Sequence, residues 1–134
     1  MGTWNVDVLT EPGILRLTLS GAMTAEDMEV FVDAHNRAVD GYNGREYRVW
    51  VDIRDLQPLH PDVADTMERT KAYSNRHANF RGSAVLVASA TVAMQHRRTS
   101  VTGGVMGSEL ISEDPVALRA HLRTVDRRSR TEIP

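Results

Sequence analysis

Two short runs near the amino terminus, Trp4 to Leu9 and Ile14 to Leu19, alternate apolar and polar residues around Glu11-Pro12-Gly13. A period of two puts one row of side chains on each face of a strand, and the turn formers between the runs join them as a β-hairpin. The spacing then changes. Met28, Phe31, Val32, His35, Ala38 and Val39 recur at the interval of one helical face. Thr24 with Asp27 three residues later forms a capping box, so the helix is predicted from about Ala25 to Asp40, with Gly41 beyond it. After GYNGRE comes Tyr47 to Ile53, rich in β-branched and aromatic residues, which reads as the central strand.

Pro61 suits a first helical turn, where its missing N–H costs nothing, and Val63, Met67, Thr70, Ser74 and His77 then line one side of a second helix, with Tyr73 flanking. Ser83 to Ala88 is apolar enough to be a parallel strand covered on both faces. A third helix is predicted from Thr91 to about Val101. Its strong apolar positions are Val92, Met94 and Val101, which assigns His96, Arg97 and Arg98 to an outward basic face. The glycines of TGGVMG end that helix, a brief strand follows at Glu109 to Ile111, and Asp114-Pro115 caps a last helix with Leu118, Leu122 and Val125 as its apolar stripe. The polar tail RRSRTEIP is expected to fray. The order ββαβαβαβα predicts one α/β domain over residues 1–134, a mainly parallel five-stranded sheet with an N-terminal β-hairpin and about four helices.

Composition narrows the function classes. The 134 residues carry a formal net charge of −2, which gives no global attraction for nucleic acid or an acidic membrane surface. With no cysteine, disulfides, thiolate metal sites and a cysteine nucleophile are excluded. No basic segment with an apolar core stands at the amino terminus, and no apolar run approaches the length of a membrane span. The expectation is a soluble cytoplasmic protein that binds no nucleic acid.

Five local sequences carry a resemblance: GILRLTLSG, VDIRDL followed by proline and a helix, AVLVAS, QHRR, and SEDPVALRAHL. Together with the element order they resemble the STAS superfamily, the sulfate transporter and anti-sigma factor antagonist domains. More narrowly they are similar to small bacterial STAS-like proteins related to the antagonists and often grouped with CRAL-TRIO lipid-binding folds. The resemblance spans almost the whole chain and implies a regulatory, protein-interaction domain with no enzymatic activity and no cofactor. In antagonists of this family a serine or threonine at the start of the helix after the central strand is phosphorylated. Here no hydroxyl residue lies between Asp52 and Asp65, and His60, Pro61 and Asp62 occupy that place. Thr66 is the nearest hydroxyl. No standard phosphorylation switch is expected, and Asp62 either caps the helix or imitates part of the phosphate charge.

The candidate binding residues form two groups. Asp52, Arg54, Asp55, Leu59, His60 and Asp62 mark the corner after the central strand, which is expected to meet a protein partner or a second copy of the chain, and an exposed apolar patch around Leu56, Leu59 and Met67 would favour that reading. Ser89, Thr91, Arg97 and Arg98 mark the start of the third helix, whose free N–H groups suit an anion or an acidic partner. An alternative is a lipid or nucleotide pocket between the strand ends and the helices starting near Pro61 and Thr91. A third is an enzyme using Asp52 or Asp55 as a titrating group. The five histidines have no zinc-binding spacing, the serines lack a nucleophile elbow, and TGGVMG lacks the Lys-Ser/Thr ending of a P-loop. His35 and His77 read as residues at the edge of the core.

Overall fold

The predicted hairpin forms in a computed structural model, which describes residues 2–127. Strand β1 (Thr3–Leu9) runs antiparallel to β2 (Ile14–Ser20), with Leu9 opposite Ile14 and Thr3 opposite Ser20. The chain then alternates α1 (Ala25–Gly41), β3 (Tyr47–Asp52), α2 (Pro61–Asn75), β4 (Phe80–Leu86), α3 (Ala90–Gly103), β5 (Glu109–Ser112) and α4 (Pro115–Thr124), with a single 3-10 turn at Met106–Ser108 before β5. This is the mainly parallel five-stranded α/β sheet that the spacing predicted.

The strands lie in sequence order, β1-β2-β3-β4-β5, and β2 to β5 are parallel neighbours. Every crossover steps one strand in the same direction, and right-handed crossovers of that kind put their helices on one face. α1, α2 and α3 therefore cover that face. They bury Leu15, Leu17, Leu19, Phe31, Val49 and Val85 beneath them, while α4 alone packs on the other face through Leu118 and Leu122 against Ala84 and Leu86. All seven residues of β4 are buried, as expected of a strand covered on both sides.

The predicted helix signals are those the chain uses. Thr24 and Asp27 form the reciprocal capping box of α1, Asp114 accepts the Val116 N–H at 2.9 Å, and Gly104 terminates α3 in the left-handed region at φ 82°. Three expectations need correction. Met94 and Val101, assigned to the inward face of α3, are 53% and 57% exposed, and the buried face is instead Val92, Ala93, His96, Thr99, Ser100 and Gly103. His35 lies in the core at 2% exposure. Arg127, the first residue of the tail expected to fray, is docked: it donates to Asn75 Oδ1 at 2.6 Å and to the His77 carbonyl, with its guanidinium over the Phe80 ring. The rest of that tail, residues 128–134, lies outside the described residues. Among the described residues no helix is long and apolar enough to cross a membrane.

Candidate functional site

The corner between β3 and α2 is built from the strand end outward. Asp52, the last residue of β3, accepts from Arg54 Nε at 3.1 Å and from Arg54 Nη2 at 2.8 Å, a two-pronged ion pair, and its Oδ1 also accepts the Arg54 backbone N–H at 3.2 Å. Those Arg54 bonds hold the Asp52 carboxyl below the usual carboxylate range. The next residues thread between two fixed points. Gly21, at the end of β2, donates to the Asp55 carbonyl at 2.8 Å and accepts from the Gln57 N–H at 3.0 Å. Gln95, on α3, clamps the Leu59 backbone from both sides, accepting its N–H at 2.7 Å and donating to its carbonyl at 2.6 Å. His60 caps α2, its ring Nδ1 accepting the Asp62 N–H at 3.4 Å and lying 3.7 Å from Asp62 Oδ2.

Leu56, Leu59 and Met67 are 6%, 5% and 4% exposed. The apolar patch that would have favoured the protein-interaction reading is therefore absent, and Leu59 offers a partner no side chain. The reason is geometric: between Ile53 and Pro61 the chain is tied first to Gly21 after β2 and then to Gln95 on α3, and its two leucines, Leu56 and Leu59, turn inward to close the core. What remains outside is polar: Arg54, Asp55, Gln57, His60, Asp62 and Asp65 are all exposed. The strand order also bears on the pocket expected at this end. Open α/β sheets bind ligands where neighbouring crossovers diverge to opposite faces, and here none diverges among β2 to β5. Leu59 and Gln95 tie the starts of α2 and α3 together, and what remains between those helices is an open surface groove of about 280 Å³ lined by Pro61, Asp65 and Gln95.

The second group of residues separates. The Ser89 hydroxyl is occupied as the α3 cap, accepting the Val92 N–H at 3.1 Å, while Thr91 is exposed one residue into the helix. Ser89 and Arg97 line an open cleft of about 500 Å³ with Ala93, Ile111 and Glu113. Arg98 faces a different groove, beside Asp65 and Glu68. The ten residues named from the sequence thus fall in three places, and no single site unites them.

The most unusual chemistry is one that none of the candidate residues above includes, a charged network inside the core. Lys71, on α2, reaches under α3 to Ser100 Oγ at 2.6 Å, to the His96 carbonyl at 3.0 Å and to Glu109 Oε1 at 3.3 Å. Glu109, the first residue of β5, also accepts from the Ser100 hydroxyl and, at 2.8 Å, from Ser83 on β4. The two charged side chains are only 11% and 3% exposed. Burial lowers the Lys71 pKa, and the adjacent Glu109 opposes that shift. Next to this pair the His96 ring is 1% exposed, with neither nitrogen hydrogen-bonded within the protein, and burial holds it neutral with its pKa well below the ordinary value. All three line a small cavity of about 40 Å³, room for about three water molecules and too small for an organic ligand. The approach of α2 to α3 depends on Gly103, where a Cβ atom would come within 2.8 Å of Lys71 Cβ. One signal for the network was present: Lys71 continues the i, i+4 stripe of Val63 and Met67, so a charged residue stands at an inward position.

No family profile and no curated protein matches the chain. Its structure is similar to that of an uncharacterised protein of the DUF3478 family with a SpoIIAA-like fold from Shewanella loihica PV-4, at a TM-score of 0.63 and 18% identity over 90% of this chain and 93% of that one. The fold is SpoIIAA-like, that of STAS and anti-sigma factor antagonist domains. In this STAS-like fold the β3 to α2 corner carries His60, Pro61 and Asp62, and the nearest hydroxyl, Thr66, is buried on α2 beneath Arg69, which donates to it at 3.1 Å.

Proposed function

We propose that this protein is a non-enzymatic regulatory domain of STAS type, working in the cytoplasm, that binds a protein partner through the polar rim of the β3 to α2 corner. The observation that carries this reading is the fixing of an irregular segment. Residues 53–60 have no regular secondary structure beyond one bridge, yet Gly21, Gln95, Leu56 and Leu59 hold their backbone, leaving charged and polar side chains displayed to solvent. A surface loop fixed before binding loses little entropy when a partner arrives.

Absence of catalysis is part of the proposal. Asp52 is the carboxylate best placed for chemistry, and it is held ionised by Arg54, the opposite of what a proton-donating carboxyl requires. A phosphorylation switch at the start of α2 is likewise not part of it, because Thr66 faces inward.

The test is affinity purification with cross-linking from the native cell, with wild type beside an Arg54→Glu, Asp62→Lys variant. Both side chains are exposed, so the variant should unfold at nearly the wild-type temperature. A partner recovered by wild type and lost by the folded variant supports the reading. Identical partner sets overturn it, as does turnover abolished by Asp52→Asn.

A further inference from the structure

The face of the sheet opposite the three helices is covered only in part. α4 lies over β4, β5 and the margin of β3, which leaves the outer face of β1, β2 and β3 without a helix. On it the side chains of Ile14 and Arg16 from β2 and of Arg48 and Trp50 from β3 stand in register, Ile14 beside Arg48 and Arg16 beside Trp50. Leu122, Arg119 and Arg123 of α4 form the opposite wall. Two adjoining clefts result, of about 380 and 350 Å³, which share Pro12, Ile14, Arg119 and Leu122. Their floor is apolar, with Trp50 half-buried, and no acidic residue lines either one.

The charges on the walls are under-compensated. Arg16 lies 4.0 Å from Asp7 in an exposed pair, and Arg48 is bound to Glu46 at 2.7 Å and to the Val125 carbonyl at 2.9 Å. Arg119 and Arg123 are exposed, with no ion pair or hydrogen bond among the described residues. In a protein of net charge −2 this is a local basic groove around an apolar floor.

We propose that this groove docks an acidic amphipathic helix of a partner protein, laid beside α4 on β1 to β3. Charge complementarity selects the occupant. A second copy meeting it about a two-fold axis would set arginines against arginines. The chain's own residues 128–134 carry two arginines and one glutamate, the wrong sign. A helix matches the geometry, because β2 and β3, which line the clefts, are already paired on both edges, and a further strand could add only at the free edge of β1, beyond them. Trp and Arg grouped about aliphatic residues are the side chains that dominate protein interfaces. Since the groove opens at the amino-terminal ends of β2 and β3, on the face away from α2, it is separate from the corner proposed above. The domain would then join two partners, and either surface can fail without the other.

The experiment measures fluorescence anisotropy of a labelled synthetic helix of about sixteen residues, about 24 Å long and so matched to a seven-residue strand, with leucines on one face flanked by glutamates. Its control has lysine for each glutamate. The glutamate peptide is expected to bind at least about tenfold more tightly than the lysine peptide, and to weaken as salt rises from about 50 to about 300 mM. Arg119→Glu, Arg123→Glu should abolish that preference, and Trp50→Ala should weaken binding with the charge preference retained. Equal binding of the two peptides, or a folded charge-reversal variant that binds like wild type, overturns the proposal. So does self-association at high protein concentration that the same variant abolishes, or tighter binding of a single-stranded oligonucleotide than of the glutamate peptide.

Discussion

The two faces of the sheet treat charge in opposite ways. Beneath α1, α2 and α3 the polar groups are sealed from water, and Lys71, Ser100, Ser83 and Glu109 satisfy one another through a chain of short contacts that crosses two helices and two strands. Beside α4 the sheet is half open, and Arg119 and Arg123 are exposed and have no partner among the described residues. The difference lies in solvation. A charge taken out of water must find a counter-charge and donors within the fold, whereas a charge left in water is free to await a partner. The same sheet thus carries charge as internal structure on one side and as a surface for recognition on the other.

Removing one partner of the covered pair should have the largest effect. Lys71→Met leaves Glu109 buried without its cation and should cost about 3–5 kcal/mol in denaturant unfolding, while Lys71→Met with Glu109→Leu should recover most of the loss. A small cost for the single variant would mean that the covered face is wetter than its burial indicates. Acid tests the same face by another route. His35 and His96 are held neutral by burial, so their folded pKa values lie below the unfolded value of about 6.5. The unfolded chain then binds more protons below that pH, and stability should fall as pH drops beneath about 6.5, with a slope of up to about 1.4 kcal/mol per pH unit for each histidine. Above it their contribution is flat. His96→Leu should remove that histidine's share of the slope in unfolding measured from pH 7 to 5.

At the boundary between covered core and exposed rim, Gln95→Ala deletes both bonds to the Leu59 backbone and should cost about 1–2 kcal/mol. Hydrogen exchange at the Leu59 amide should accelerate with it. An unchanged rate would show that Leu56 and Leu59 hold the corner by packing alone. The smallest effect belongs to the open face: Arg119→Glu with Arg123→Glu should shift stability by no more than about 0.5 kcal/mol. A larger loss would show that these arginines serve the fold.

Much of this architecture was legible in residue spacing. The hairpin, the four helices and the caps at Thr24, Asp114 and Gly104 are local features, and periods of two and of three to four residues report them directly. The inward face of α3 was not legible, because its buried positions are His96, Thr99, Ser100 and Gly103. A reading that assigns the core to apolar residues selects Met94 and Val101 instead. The corner misled for the opposite reason: Leu56 and Leu59 look like a patch in a polar loop, and only the closing of the sheet end turns them inward. The groove beside α4 depends on which face the last helix takes, a matter of strand order that no local pattern records.

The strand order has a consequence for how the molecule is made. Each strand from β2 to β5 pairs with the one synthesised just before it, and α2 and α3 each pack beside the helix before them. A chain leaving the ribosome therefore always finds the next docking edge already present, and no early strand must wait, unpaired and prone to aggregate, for a distant late one. β5 and α4 close the sequence of additions, and with Glu109 at the first position of β5, the counter-charge that Lys71 requires is among the last groups to arrive.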